Sequence, residues 1–137
     1  MNSEFPSLAE LDLIQLWALL IRGEADDQPL AGKVAVACVP VTRLQSRPWR
    51  YGRQLADIIL KPSAFSCYND LKWLFSRFWP LTDEALHIAQ LAHAGHLSNP
   101  APGATHYYNP RITTPYWLPA CDYVATIGDH VFVRERE

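Results

Sequence analysis

The sequence predicts one mostly helical α+β domain that spans residues 1–137 and closes with a short β-hairpin or small sheet. Apolar residues at helical spacing and helix-capping residues dominate the first two thirds of the chain. Prolines, followed by two strand-like segments around a turn, dominate the last third. A length of 137 residues fits a single domain, and a hydrophobic fraction of 49% is enough for a sizeable core.

The first predicted helix begins after Ser7, which has the spacing of a capping box with Glu10. Apolar residues recur near helical spacing over residues 8–21 and almost surround the helix, so it should be buried on most sides. Gly23 can adopt the left-handed conformation that ends many helices. We therefore expect the helix to end near Gly23 and to present Glu24 at the edge of the core.

A second helix is predicted over residues 32–44, where small and apolar residues predominate. Pro40 falls inside it and should kink or break it, because proline lacks an amide hydrogen and clashes with the preceding turn. The β-branched residues leave a strand over residues 34–41 as an alternative.

Two further helices are predicted from residues that typically begin or end a helix. A turn is expected over residues 46–52, followed by a short helix over residues 55–60 that Pro62 ends. Thr82 can cap a longer helix with acidic residues in its first turn, and Gly95 should end that helix.

The remaining segments are less regular. The aromatic residues 70–79 have the mixed spacing of a core or groove wall, and prolines indicate irregular or extended backbone from residue 99 to Cys121. Residues 123–127 and 131–134 flank a turn and fit a hairpin. We expect the last residues, Arg134 to Glu137, to be a frayed tail.

Composition argues against several functional classes. The formal net charge is −2, and no basic stripe interleaves with aromatic residues, so we expect no nucleic-acid partner. Four arginines do crowd together and could face an anionic polymer, although a solvated face is the plainer interpretation. They are Arg43, Arg47, Arg50 and Arg53.

The first residues lack the basic start of an export signal, and the apolar stretch over residues 13–21 is too short to span a bilayer. We therefore expect no signal peptide and no stable membrane insertion. The expected location is the cytoplasm of the producing cell. A monomer is also expected.

No metal or other cofactor is predicted. The three cysteines, Cys38, Cys67 and Cys121, lie far apart without ligand spacing, so reduced thiols are expected. His93 and His96 are three residues apart and could in principle bind a metal. Gly95 interrupts the helix between them, and no third ligand is evident.

The candidate catalytic group is Glu24. An acid at the rim of an apolar core loses solvation, which favours the neutral form that can protonate a glycosidic oxygen. A surface residue or a helix cap is the structural alternative.

Two polar-aromatic clusters are the candidate substrate-binding groups. Tyrosine faces stack on sugar rings, while phenol, amide and imidazole groups bond hydroxyl and acetamido groups. The predicted binding residues are Phe65, Ser66, Tyr68, Asn69, His106, Tyr107, Tyr108 and Asn109. Structural turns with core tyrosines are the alternative, as is a papain-type nucleophile pair of Cys67 and His106.

Five motifs in order give the chain a resemblance to the SleB-type cell wall hydrolases. They are Gly23-Glu24-Ala25, Gly32-Lys33-Val34-Ala35-Val36-Ala37, Phe65-Ser66-Cys67-Tyr68-Asn69, His106-Tyr107-Tyr108-Asn109-Pro110 and Ile127-Gly128-Asp129-His130-Val131-Phe132. The resemblance implies a lysozyme-like fold, a catalytic glutamate at Glu24, and cleavage of peptidoglycan between N-acetylmuramic acid and N-acetylglucosamine without a metal. Pro40 and Thr42 depart from the family pattern, and residues 71–102 match it poorly.

The expected reaction is that of a lytic transglycosylase in which Glu24 acts first as acid and then as base. A phage endolysin is the expected setting, made in the cytoplasm of the producing cell and acting on the cell wall after release. A hydrolytic muramidase is the alternative, with a second carboxylate drawn from Asp26, Asp27, Asp70 and Asp129. A non-catalytic peptidoglycan-binding module is the alternative from another class.

Overall fold

A computed structural model describes residues 5–137 and contains six α-helices and one antiparallel three-stranded sheet in that part of the chain. The helices are α1 (Leu13–Ala25), α2 (Leu30–Ser46), α3 (Pro48–Tyr51), α4 (Leu55–Leu60), α5 (Leu71–Phe78) and α6 (Asp83–Ala94). The strands are β1 (His106–Tyr108), β2 (Cys121–Ile127) and β3 (His130–Glu135). The predicted α+β class, mostly helical with a small sheet, is confirmed.

Helix α1 starts later than predicted. Glu10 accepts hydrogen bonds from Ser7, as a capping box requires, but the box encloses only a 3₁₀ turn over Leu8–Glu10. A second box starts α1, where the Asp12 carboxylate accepts from the Gln15 amide at 2.8 Å. Two capping signals in succession thus separate a short lead-in turn from the helix.

Helix α1 ends at Ala25, two residues beyond Gly23, and the left-handed conformation predicted for Gly23 is wrong. Gly23 instead allows Cys67 and Leu74 to pack closely against α1. A Cβ atom at this position would lie 2.6 Å from Cys67 Cβ and 2.7 Å from Leu74 Cδ1. Glu24 therefore lies in the last turn of α1, beside the 3₁₀ turn over Ser66–Asn69.

Helix α2 is continuous through Pro40, so neither the predicted break nor the alternative strand forms. An internal proline typically costs about 3 kcal/mol. Here the proline ring is fully buried, and α2 packs small and branched residues against α1, α4 and α6. Burial of Val36 and Val39 among those helices offsets that cost.

The core lies between α1, its neighbouring helices and one face of the sheet. Trp17 is fully buried, and its indole Nε1 donates to the Ala37 carbonyl at 2.9 Å. Phe132 of β3 is equally buried and connects the sheet to the helices. In α5, Phe75 and Phe78 join this core, which confirms the core interpretation of the aromatic segment.

The strongest capping signals gave the most accurate boundaries. Thr82 accepts from the Ala85 amide at 3.2 Å at the start of α6, and Gly95 takes a left-handed conformation at its end. Helix α4 also has its predicted bounds. The turn predicted over residues 46–52 contains the short helix α3, with Pro48 at its first position.

The sheet has the order β1-β3-β2. The predicted hairpin is confirmed as β2 and β3, joined by a turn in which Gly128 has a φ of 58°. Strand β1 was not predicted: the polar-aromatic cluster pairs with β3 so that Tyr107 lies opposite Phe132. Within the described residues, no helix combines the length and apolar character needed to cross a membrane.

The prediction of a frayed tail over Arg134 to Glu137 is wrong, because β3 continues to Glu135. Glu135 accepts from the Tyr51 hydroxyl at 3.1 Å and pairs with Arg47 at 3.1 Å and Arg50 at 2.7 Å. The Arg136 amide donates to the Ala120 carbonyl at 2.9 Å. These contacts anchor the end of β3 to α3, to the residue before α3 and to the 3₁₀ turn over Leu118–Ala120.

Candidate active site

Glu24 lies half-buried in a cleft of about 870 Å³ and accepts three hydrogen bonds. The Tyr107 hydroxyl donates to Oε1 at 2.7 Å. The Ser66 hydroxyl and the Cys67 backbone N–H each donate to Oε2 at 3.2 Å. We call Tyr107, Ser66 and the Cys67 amide the acid cage, since together they fix the position of the carboxylate.

Three distant segments bring the acid cage together. Glu24 belongs to the last turn of α1, and the missing side chain of Gly23 lets the Ser66–Asn69 turn approach. Tyr107 arrives from β1 on the opposite side. The site therefore depends on packing between helix, turn and sheet rather than on any local motif.

Aromatic rings hold Tyr107 in place. Its ring centroid lies 6.4 Å from Phe65, 5.2 Å from His130 and 5.6 Å from Phe132. Loss of solvent and the neighbouring Glu24 charge raise the pKa of Tyr107 well above its usual range. The phenol therefore keeps its proton and remains able to donate to Glu24 near neutral pH.

The acid cage can accommodate both protonation states of Glu24. A backbone N–H only donates, so the Cys67 amide always presents a donor to Oε2. The hydroxyls of Tyr107 and Ser66 can rotate to accept as well as donate. Hydroxyl groups that can both donate and accept suit a carboxyl group that must give up a proton and then take one back.

Beyond Glu24, the charged side chains that line the cleft are basic. They are Arg43, Arg50 and Lys61, and among the described residues no second carboxylate lines it. The four aspartates considered as partners of Glu24 have other contacts. Asp26 pairs with Arg22, Asp70 caps α5, and Asp27 and Asp129 both accept from Gln28.

The two histidines of the cleft are held in the neutral form. Burial and the charge of Arg43 lower the pKa of His106 to about 4, and burial lowers that of His130. The His106 ring lies 4.7 Å from Trp117, and its Nδ1 is 2.9 Å from the Thr105 hydroxyl. Both imidazoles are therefore uncharged, polar parts of the wall near pH 7.

Most of the predicted site residues meet in the cleft. The residues brought there are Glu24, Phe65, Ser66, His106, Tyr107, Tyr108 and Asn109. Tyr68 and Asn69 are not: the Tyr68 hydroxyl donates to the Leu16 carbonyl, and Asn69 is exposed outside the cleft. Tyr68 thus anchors the Ser66–Asn69 turn to α1.

Sequence reasoning missed several cleft residues. Tyr116 and Ile112 are 94% and 81% exposed on the loop after β1, and Trp117 lies beside them. Large apolar side chains between the prolines of this loop were the available signal. Arg43 was recognised only as part of an arginine cluster. The interpretation of that cluster as a solvated face is wrong for Arg43, which is buried, whereas Arg50 and Arg53 are exposed.

Two alternative chemistries lack support in the structure. Cys67 is buried, and desolvation together with Glu24 raises the pKa of its thiol, which opposes formation of a nucleophilic thiolate. No ring contact or hydrogen bond joins it to His106 among the described residues. In the same part of the chain, no group of three metal-ligating side chains is assembled, and His93 packs against Trp17.

Comparison with known proteins identifies the family. Residues 27–133 match the family described as Cell Wall Hydrolase. A spore cortex-lytic enzyme of Halalkalibacterium halodurans is 34% identical over 87% of this chain and 34% of its own length. The enzyme of the same name from Bacillus subtilis is 30% identical over 87% of this chain and 36% of its own length. The chain thus spans about a third of these relatives.

Two solved structures share the fold over nearly the whole chain. The catalytic domain of the germination-specific lytic transglycosylase SleB from Bacillus anthracis superposes with a TM-score of 0.76 at 26% identity, covering 95% of this chain and all of that one. The SleB catalytic domain of Bacillus cereus gives 0.74 at 26% identity, covering 98% of each chain. The chain belongs to the SleB-type cell wall hydrolase family.

Proposed function

We propose that this protein cleaves the glycan strand of peptidoglycan between N-acetylmuramic acid and N-acetylglucosamine, as a lytic transglycosylase. The observation that carries the proposal is a single carboxylate, Glu24, held by three donors in a cleft with no second acid among its described lining residues. The similar domain from Bacillus anthracis is described as a lytic transglycosylase, which supports the same reaction class.

In the first step, neutral Glu24 donates its proton to the glycosidic oxygen as that bond breaks. Positive charge develops at the anomeric carbon of the muramic acid, and N-acetylglucosamine leaves with the proton. The second step needs no external water. The 6-hydroxyl of the same muramic acid attacks the anomeric carbon, Glu24 takes the hydroxyl proton, and a 1,6-anhydro ring closes.

One carboxylate suffices for this sequence because the attacking hydroxyl is already tethered to the reacting sugar. Such intramolecular attack has a large advantage in effective concentration. The donors around Glu24 keep its position constant while it changes charge, and Tyr107 and Ser66 can reverse their hydrogen bonds as it does so. At the end of the cycle Glu24 carries a proton again.

A hydrolytic muramidase would need a second carboxylate roughly 5–9 Å from the acid to act as nucleophile or to activate water. The contacts of Asp26, Asp27, Asp70 and Asp129 hold them in other roles. The cleft geometry therefore favours the transglycosylase. The endolysin setting, cytoplasmic production and a monomeric state stay predictions.

The test is mass spectrometry of soluble fragments released from purified peptidoglycan by wild type and by Glu24→Gln. Wild type should release fragments with 1,6-anhydromuramic acid ends, and Glu24→Gln should lose about 10³-fold or more in rate because an amide cannot donate the proton. Asp26→Asn is the matched control, since it neutralises a carboxylate of the same helix end that lies outside the cleft.

Three results would change the proposal. Fragments with reducing ends would indicate hydrolysis and a second carboxylate. A fully active Glu24→Gln variant would remove Glu24 from the mechanism. Glycan binding without any release by wild type would identify a binding module.

A further inference from the structure

Arg43 is a buried cation on the wall of the cleft. Its side chain belongs to α2 and the residue is only 6% exposed. Its Nε donates to the Thr105 carbonyl at 2.7 Å. Its guanidinium carbon lies 4.7 Å from the centroid of Phe65 and 5.2 Å from that of Tyr51. Two aromatic rings and one carbonyl thus fix the plane of the guanidinium.

No carboxylate balances this charge at close range. Among the described residues, Arg43 has no ion pair within 4.0 Å, although its desolvation lowers its pKa and opposes the charged form. Its two terminal amino groups make no hydrogen bond in that part of the chain and are not among the fully buried unpaired atoms. They therefore open onto the cleft that Arg43 lines.

Two further cations, Arg50 and Lys61, line the same cleft. The Arg50 guanidinium carbon lies 5.8 Å from the Tyr51 centroid, and Lys61 Nζ donates to the Arg50 carbonyl at 2.7 Å. Glu135 partly balances Arg50 and also pairs with Arg47, but Glu135 does not line the cleft. This stretch of wall therefore presents positive charge to whatever enters.

We propose that Arg43, assisted by Arg50 and Lys61, forms an anion subsite that binds a carboxylate of the substrate. A planar guanidinium held by two rings and one carbonyl still has free terminal N–H groups, and two parallel N–H groups match the two oxygens of a carboxylate. This inference rests on the proposed function, because peptidoglycan supplies such carboxylates close to the scissile bond. They occur on the lactyl group of muramic acid and on the stem peptide.

The two sources can be separated with three ligands. The first is glycan strands that carry stem peptides. The second is peptide-free strands whose lactyl carboxylates are exposed, and the third is the same strands with those carboxylates converted to neutral methylamides. Binding is measured by calorimetry on the Glu24→Gln protein, which prevents turnover.

Free carboxylates on either source should tighten binding about tenfold relative to the neutral strands, as a charge-assisted pair predicts. A preference for peptide-free charged strands identifies the lactyl group, and a preference for peptide-bearing strands identifies the stem peptide. Equal affinity for charged and neutral strands overturns the subsite.

Arg43→Met and Arg43→Lys, each in the Glu24→Gln protein, test the side chain itself. Arg43→Met should weaken binding of the charged strands about tenfold and leave the neutral strands unchanged, whereas Arg43→Lys should retain part of the preference for charge. The control is Arg77→Met, which removes a cation of α5 outside the cleft. Equal losses for charged and neutral strands would assign Arg43 a purely structural role.

The same measurements separate this inference from the proposed reaction. If wild type releases anhydro fragments but binds strands without regard to charge, the reaction stands and the subsite fails. If the charged strands bind more tightly but nothing is released, the subsite stands and the reaction fails. The melting temperature of each variant shows whether that variant has lost its fold. If an Arg43 variant has, the Lys61→Met protein is tested in its place, because Lys61 is exposed.

Discussion

The acid cage and the rim of the cleft are built on opposite principles. The acid cage fixes Glu24 with three hydrogen bonds, two from the Ser66–Asn69 turn and one from β1. The rim, which we define as Ile112, Tyr116 and Lys61, consists of exposed side chains, and the side chains of Ile112 and Tyr116 have little protein around them. One region is arranged before the substrate arrives, and the other is left for the substrate to cover.

The difference indicates a division of labour. Groups fixed in advance around a reacting atom act on the transition state, because they need no reorganisation during the reaction. Exposed rings mainly add contact area and hold ground state and transition state alike. We therefore expect changes in the acid cage to lower kcat and changes in the rim to raise KM.

Among substitutions in the acid cage, Tyr107→Phe is expected to lower kcat the most. This change removes the 2.7 Å hydrogen bond to Oε1 and leaves the ring packed as before. Loss of one fixed donor at a reacting group should lower kcat about 10²-fold with little change in KM. Steady-state rates of fragment release would measure both quantities.

Tyr108→Phe is the control for this prediction. Tyr108 is the next residue of β1 and lines the cleft, but its hydroxyl makes no hydrogen bond to Glu24. Its removal should change kcat by less than about threefold, within the range of a lost exposed contact. Equal effects at the two tyrosines would mean that the hydrogen bond to Glu24 has no part in the chemistry.

The same contrast explains what the sequence could predict. The bounds of α6 and the hairpin depend on local signals, namely the Thr82 cap and the turn at Gly128, and both were predicted. The family resemblance implied that Glu24 is the catalytic glutamate, and their residue types made the two polar-aromatic clusters candidate binding groups. The structure brings most of those clusters to Glu24, and the roles assigned to them remain to be measured.

The features that could not be predicted depend on packing between distant segments. Gly23 has the residue type of a helix end, but the contact with Cys67 that requires a glycine there is tertiary. Pro40 lies in a continuous helix because burial outweighs its local penalty. Arg43 belongs to an arginine cluster by sequence, whereas its burial between Phe65 and Tyr51 arises only in the fold.

Gly23→Ala tests whether the acid cage depends on that close packing. The new Cβ would lie 2.6 Å from Cys67 Cβ, so the turn that carries Ser66 must move away from α1. Overpacking of this kind typically costs about 1–3 kcal/mol in the free energy of unfolding, more than the roughly 1 kcal/mol that alanine gains in a helix. Chemical denaturation measures stability, and kcat should fall as well.

Gly32→Ala provides the comparison, since Gly32 is also helical and its Cβ would approach nothing nearer than 3.2 Å. We expect that variant to be close to wild type in stability and in rate. If Gly23→Ala were equally harmless, the turn would have room to adjust. The position of Glu24 would then not depend on the glycine.

The smallest effect is expected at the rim, for Tyr116→Ala. Tyr116 is 94% exposed, so its loss should leave the free energy of unfolding unchanged within about 0.5 kcal/mol. Stacking on a sugar ring would contribute about 1 kcal/mol, which corresponds to roughly a fivefold rise in KM at constant kcat. Tyr123→Ala removes a tyrosine that is 67% exposed on β2 outside the cleft, and should leave KM unchanged. A fall in kcat for Tyr116→Ala at constant KM would contradict the division of labour, because an exposed ring would then act on the chemistry itself.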